Sequence, residues 1–365
     1  MPDFIPGLKL SELFYHEAVL PILESAFPGL PHSSALIGSG SEVLGFDTPM
    51  SSDHHWGPRV MLFLRDDDHA DHAAAIHEAL RHRLPTEFRG YPTNFSAPNP
   101  DDNGTQLLQP VSAGPVNHRA VCLTLRGFLR EVIDVDIDAP LDAADWLTIP
   151  SQKLRTITAG AVYHDAVGLE ALRARFAWYP RDVWLYLLAA GWARIGQEEP
   201  FVGRTGYVGD DLGSQVIAAR LVRDLMRLCF LMEQQYPPYS KWYGTAFARL
   251  ACAAELTPIL RGVNLAQSWR ERERALTQAY AVVARLHNAL GITAPLPTTV
   301  SSFHGRPFKV IHGEQFAAAI KAQISDPAVR AIPADIGSID QFSDSTDLLE
   351  ATELRRRLKG LYSTA

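Results

Sequence analysis

The spacing of apolar positions changes near residue 170. Before it, short apolar runs alternate with polar loops. After it, apolar residues recur every three or four positions, the period of a helix packed along one face. Leu10, Leu13, Phe14, Ala18, Ile22 and Ala26 predict a helix over residues 9 to 26, ended by Pro28 and Pro31. Ala35-Leu36-Ile37 predicts a strand that runs directly into Gly38-Ser39-Gly40-Ser41. Arg59 to Leu64 (RVMLFL) predicts a second strand, apolar enough throughout for the middle of a sheet. Asp68 to Arg83 predicts a helix, and residues 85 to 117, rich in Pro, Asn, Gly and Asp, predict a long surface excursion. Ala120 to Leu125 is the third expected strand, and the stretch from Leu154 contains a fourth that ends at Tyr163-His164-Asp165. Downstream, helices are expected over residues 169–177, 181–197, 210–235, 240–256 and 265–290, with Gly203 to Gly209 as a glycine-rich connector. The tail adds a strand at Phe308 to Ile311 and helices at 313–323 and 346–361.

These elements predict an α/β (α+β) domain with a mixed sheet over residues 1–168. A helical bundle domain follows over 169–295, and a mixed extension over 296–365 packs on both. At 47% hydrophobic and 21% charged residues, the chain has enough apolar material to bury a core, which excludes global disorder. A net charge of −7 gives no overall attraction for nucleic acid. Cys122, Cys229 and Cys252 are widely spaced and form neither a disulfide framework nor a zinc pattern, which suits a reducing cytoplasm. The N-terminus lacks the basic and apolar regions of a signal peptide. No apolar run reaches the ~18 residues that span a bilayer. The expected location is therefore the cytoplasm.

One segment carries candidate chemistry: Leu36-Ile-Gly-Ser-Gly-Ser-Glu-Val-Leu-Gly-Phe-Asp, followed at Ser51 by Ser-Ser-Asp-His-His-Trp. Gly38 removes a side chain, so the backbone can approach a phosphate. Ser39 adds a hydroxyl to backbone N–H groups that can hold phosphate oxygens. Asp53 and His55 lie two apart, which on an extended segment points both to one face. There they would hold a divalent metal against a triphosphate.

This arrangement resembles the nucleotidyltransferase superfamily typified by DNA polymerase beta, whose signature is Gly-Gly or Gly-Ser, a spacer, then Asp-x-Asp. The longer string from Gly38 through Ser52-Asp-His-His-Trp-Gly-Pro-Arg59 resembles an uncharacterised bacterial family of predicted nucleotidyltransferases with a helical second domain, similar to aminoglycoside nucleotidyltransferases. TAGAVYHD (158–165), QEEPFVGR (197–204), YSKWYGTAF (239–247) and IDQFSDSTD (339–347) share that resemblance. It implies a nucleotidyltransferase-like first domain, ATP or another nucleoside triphosphate as cofactor, and a divalent metal at Asp53 and His55. His55 departs from the usual second carboxylate, and the strand expected to supply a third reads Ala120-Val-Cys-Leu-Thr-Leu, without an acid. Mg²⁺ prefers oxygen ligands; an imidazole suits Mn²⁺ or Zn²⁺ better.

From the helical half, the resemblance implies basic side chains for the triphosphate. Lys241 is the first candidate, at a helix start where anions are favoured; its alternative is a solvated lysine. Arg220, Arg223 and Arg227 share one helix side, facing phosphate or pairing with Asp224 and Glu233. For a general base on the acceptor hydroxyl the candidates are Glu198 and Glu199, with Asp210 and Asp211 as rivals that also suit helix capping. Asp66 to His72 looks like a metal cluster but is read as a solvated polar face, because acidic residues at a helix start complement the helix dipole without a metal. His77 and His82 are five apart, the wrong spacing for a zinc helix. Asp134-Val-Asp-Ile-Asp138 alternates like a strand edge, and His118 and His164 flank strands. Trp178, Tyr179, Trp184, Tyr186 and Trp192 are a core stripe or a stacking surface.

The expected activity is metal-dependent transfer of a nucleoside monophosphate, AMP from ATP, to a small-molecule hydroxyl. Gly38, Ser39, Lys241 and Arg223 would hold the nucleotide, with Asp53, His55 and Glu198 at the reacting centre. The alternatives are a nucleotide-binding or regulatory protein with a depleted acidic set, and a transferase acting on RNA or protein. The acidic balance argues against RNA. No membrane partner is expected, and the oligomeric state stays open.

Overall fold

The computed structural model describes residues 3–102 and 104–363, apart from the Asp53 side chain. The chain divides into two compact units: Met1–Ala139 with Lys153–Ala177, and Pro140–Gln152 with Trp178–Ala365.

In the first unit, α1 (Gly7–Phe14) and α2 (Leu20–Ala26) are joined by a π turn, Tyr15–Val19. Leu10, Phe14, Val19 and Leu23 point into the core. Strands β1 (Ser33–Leu36), β2 (Arg59–Leu64), β3 (Arg119–Thr124) and β4 (Ala161–His164) form one mixed sheet in the order β3-β2-β1-β4. β1 runs antiparallel to β2 and β4, whereas β2 and β3 are parallel, with Arg59 opposite Arg119. The parallel pair requires a crossover. It is supplied by α3 (Asp66–Arg83), which buries Ile76 and Leu80, four apart on one face. Asp66, Asp67 and Asp68 sit in the first turn of α3 and Arg81, His82 and Arg83 in the last, both complementing the helix dipole. Among the described residues no group of three or more His, Cys, Asp or Glu is placed to hold a metal.

The excursion over 85–117 is tied down by a small hairpin, Glu87–Phe88 with Tyr91–Pro92, and by a bridge between buried Phe95 and Leu108. The alternating Asp134–Asp138 segment is not a strand. The preceding residues form α4 (Leu125–Ile133), whose C-terminus is closed by Asp134 in a left-handed conformation, and Asp136 and Asp138 turn back to pair with Arg126. The first unit extends past residue 168 to include α5 (Leu169–Arg175). The Asp165 carboxylate accepts the Ser33 hydroxyl of β1 (2.5 Å) and the N–H groups of Gly168, Leu169 and Glu170, so the start of α5 is fixed to the sheet.

In the second unit, α6 (Arg181–Glu198) is buried on nearly every side, as a central helix must be when it is apolar all round. Trp192 is fully buried and stacks on Phe316 with centroids 4.1 Å apart. The Trp184 indole donates to the Leu231 carbonyl and the Tyr186 hydroxyl to Ala334, so this aromatic stripe is core. The predicted connector at Gly203–Gly209 is instead mostly helix, α7 (Phe201–Tyr207). A Cβ at Gly203 would meet the Phe308 ring at 2.6 Å and one at Gly206 would meet Trp269 at 2.2 Å, so these glycines serve close packing. Next come α8 (Asp211–Met232), α9 (Ser240–Phe247), α10 (Ala253–Leu265) and α11 (Trp269–Ala289). The predicted helix over 240–256 breaks because the Glu233 carboxylate accepts the N–H groups of Ala251 and Cys252. A short hairpin of β5 (Ser301–Ser302) and β6 (Lys309–Val310) leads into α12 (Gly313–Lys321). No described helix is long and apolar enough to cross a membrane.

Candidate functional site

The loop between β1 and β2 holds the predicted motif. Gly38 leaves β1 with φ +97° and donates its N–H to the Thr156 carbonyl. Gly40 has φ +140°, and a Cβ there would lie 2.6 Å from Glu42 Oε2 and 2.8 Å from Arg59 Nη2. Only glycine fits that position. The reason is a buried ion pair: the guanidinium of Arg59, the first residue of β2, pairs with Glu42 and also donates to the Ser39 carbonyl at 3.1 Å. Asp47, further along the loop, accepts the N–H of Gly7 at the start of α1 (2.7 Å) and the Trp56 indole N–H (3.1 Å). That carboxylate satisfies an otherwise unpaired helix-start donor and pins the loop to the core.

Asp53 and His55 do not lie on an extended segment. Pro49–Asp53 form a 3₁₀ turn opened by Thr48 and Ser51 in a capping box, and β2 begins only at Arg59. His55 itself is left-handed, with φ +53°. The Asp53 side chain lies outside the described residues. The His55 N–H donates to the Gln106 carbonyl, and its Nδ1 accepts from Arg119 Nη1 at 2.7 Å. A guanidinium always donates, so Nδ1 carries no proton and the neutral ring keeps its proton on Nε2. Burial lowers the His55 pKa, and the charges of Arg119, His54 and Arg59 lower it further against Glu42.

Arg119 opens β3 directly opposite Arg59, on the strand parallel to β2. Its guanidinium lies 5.6 Å from the Phe95 ring centroid, and burial, followed by the charge of Arg59, brings its pKa down to about 10. Among the described residues no carboxylate pairs with it. The described residues here do not fit a divalent cation. The His55 ring has no lone pair left, the Cys122 thiol is pushed up to about 12 by burial, and a guanidinium stands at the start of β3. What comes together instead is a glycine loop with positive φ and two arginines on neighbouring strands, one balanced by Glu42 and the other, among the described residues, by no carboxylate.

The other predicted residues belong to the second unit. Glu198 pairs with Arg220 at 2.6 Å. Arg223 pairs with Asp344 at 2.6 Å, and Arg227 reaches the same carboxylate at 3.1 Å. Lys241 is exposed at the start of α9, 5.3 Å from the Trp242 ring centroid. Asp210 caps α8 through the Gly213 N–H, and Asp211 pairs with buried Arg272. In the first unit, His118 bonds the His77 carbonyl and the Ala120 N–H, and burial lowers its pKa to about 4. His164 is exposed beside His32, ring centroids 5.0 Å apart.

Sequence reasoning passed over Glu42, Arg59 and Arg119. The usable signal was an arginine at the first position of each of two neighbouring apolar strands, which a parallel pairing places side by side.

A family model described as "Domain of unknown function (DUF4037)" matches residues 146–243. No curated protein matches the chain. Among solved structures, a nucleotidyltransferase-like protein from Exiguobacterium sibiricum 255-15 is similar over 75% of this chain and 76% of that one, at 11% identity and a TM-score of 0.32.

Proposed function

We propose that the first unit binds a nucleoside triphosphate, with phosphate oxygens against the Gly38–Gly40 loop and the Arg59 and Arg119 guanidinium groups. The observation that carries this reading is Arg119, a half-buried guanidinium on the strand beside Arg59, whose own guanidinium reaches the glycine turn; among the described residues Arg119 has no acidic partner. The charge of Arg59 on the neighbouring strand lowers the Arg119 pKa even though Glu42 offsets part of it, so an anion beside Arg119 is favoured. The planar fork of a guanidinium suits phosphate, and His55, by accepting one of its N–H groups, fixes the direction in which the remaining donors point. Of the functions the sequence suggests, this supports the nucleotide-binding or regulatory protein over metal-dependent transfer of AMP. Arg119 stands on the strand from which the resemblance expects a third carboxylate.

The test is calorimetric titration of ATP, GTP, CTP and UTP, each with Mg²⁺, with Mn²⁺ and with EDTA, into the wild type, Arg119→Ala and Asp53→Ala. Binding that persists in EDTA, survives Asp53→Ala and weakens roughly 10- to 100-fold in Arg119→Ala is expected, the last from loss of a charged hydrogen bond. Binding of none of the four overturns the nucleotide reading. Binding that requires metal and Asp53, with pyrophosphate release, replaces it with the transferase.

A further inference from the structure

A second cluster lies wholly within the second unit and shares no residue with the nucleotide reading. Ser301 sits opposite Val310 in the β5–β6 hairpin, and two residues past Val310 the chain reaches His312. Ser301 Oγ is 2.6 Å from His312 Nε2, and His312 Nδ1 is 3.1 Å from Glu314 Oε1. A carboxylate only accepts, so Nδ1 carries the imidazole proton. Nε2 is then bare and receives the serine hydroxyl proton. This is the hydrogen-bond order of a hydroxyl nucleophile, its base and the acid that orients the base, which is recognised by geometry rather than by sequence position.

The backbone beneath the cluster is built to hold it. His312 is left-handed, φ +63°, a conformation that costs a non-glycine residue about 1–3 kcal/mol and persists only where its surroundings impose it. Glu199, 4% exposed just past the end of α6, imposes it by accepting the N–H groups of Ile311 (2.5 Å) and Gly313 (3.1 Å), on either side of His312. A Cβ on Gly313 would fall 2.4 Å from the Trp192 carbonyl, and one on Gly196 2.8 Å from the Glu314 nitrogen. The start of α12 therefore lies directly on α6 and cannot shift. Beside the cluster is a cavity of about 710 Å³ lined by His312 and Glu314, by the apolar Phe303, Val310 and Ala317, and by polar groups that include Lys321 and Asp335.

We propose that Ser301 is a nucleophile for a small carboxylic ester whose apolar acyl group occupies this cavity, with His312 as its base and Glu314 as the residue that positions the imidazole. Ser301 Oγ bonds to the ester carbonyl carbon while its proton passes to His312 Nε2. The bond from that carbon to the alkoxy oxygen breaks, and the alcohol leaves with the proton from Nε2. Water then attacks the acyl-serine and gives a proton to Nε2. Oγ departs and recovers that proton, and the carboxylic acid is released. No oxidant or further reactant is needed.

The experiment uses the full chain with a fluorophosphonate probe, which bonds to Oγ through phosphorus and expels fluoride, and with p-nitrophenyl butyrate as ester. Peptide mapping is expected to place the label on Ser301. Ser301→Ala, an exposed change that leaves the melting curve unaltered, and His312→Ala should each lose labelling and hydrolysis. Ser302→Ala, at the neighbouring hydroxyl, should keep both. Glu314→Gln should lower kcat at least 10-fold with KM unchanged. No labelling above a heat-denatured control, or labelling that survives Ser301→Ala, overturns the proposal.

Discussion

Replacing Glu199 by Gln tests a carboxylate of the second unit that is only 4% exposed. Burial raises its pKa from 4.5 to about 7, against the lowering effect of the amides it accepts from, with the charge of Glu314 adding to the rise. A folded-state pKa above the unfolded value means that the folded protein holds the proton more tightly. The stability that this contributes is complete below pH ~4.5 and is lost as pH rises through about 7. At about 1.36 kcal/mol per pKa unit the whole effect is roughly 3 kcal/mol, most of which disappears between pH 5 and pH 8. Gln cannot titrate. It also turns an NH₂ group toward one of the two backbone donors, which costs about 1–3 kcal/mol at every pH. The assay is thermal unfolding followed by circular dichroism at unit pH steps from 5 to 8. The deficit of Glu199→Gln relative to wild type should shrink by roughly 2–3 kcal/mol across that range. For a unit of roughly 200 residues that is about 5–10 °C in Tm. Parallel Tm curves for the two proteins would refute the reasoning, because they would mean that Glu199 is ionised throughout.

Three further outcomes follow from the packing. Gly40→Ala should destabilise the first unit by about 1–3 kcal/mol in urea unfolding and abolish nucleotide binding, because the new Cβ displaces Arg59 from Glu42; unchanged binding would place the phosphates elsewhere. Asp47→Ala should cost about 1–3 kcal/mol by leaving the Gly7 N–H and the Trp56 indole N–H without their acceptor, read in the same unfolding experiment. Trp192→Ala should cost about 3–5 kcal/mol, since it empties the fully buried contact with Phe316, and a near-native melting curve would contradict its place in the core.

The strands and long helices were legible because their period matches their burial: RVMLFL as an inner strand, and the apolar stretch over 181–197 as a central helix. Where the reading failed, a long-range contact outweighed local composition. Gly203 and Gly206 looked like a loop, but they make room for Phe308 and Trp269 inside a helix. Helix 240–256 was unbroken by pattern, yet Glu233, from elsewhere in the chain, captures two of its amides. In the candidate site, the glycine turn followed from residue type alone. The partners of Arg59 and Arg119 did not, because strand pairing and a left-handed His55 set them. The Ser301–His312–Glu314 chain was likewise hidden, since its members meet only when the hairpin closes.

We propose that a triphosphate rests on the Gly38–Gly40 loop and Arg119 without a metal. The most direct test is a crystal structure of the full chain grown with a non-hydrolysable ATP analogue in EDTA. Phosphate density is expected within hydrogen-bond distance of the Arg119 guanidinium, with the His55 contact retained. Density for the nucleotide elsewhere, or at this loop only when Mn²⁺ is supplied and bound by Asp53, would contradict the proposal.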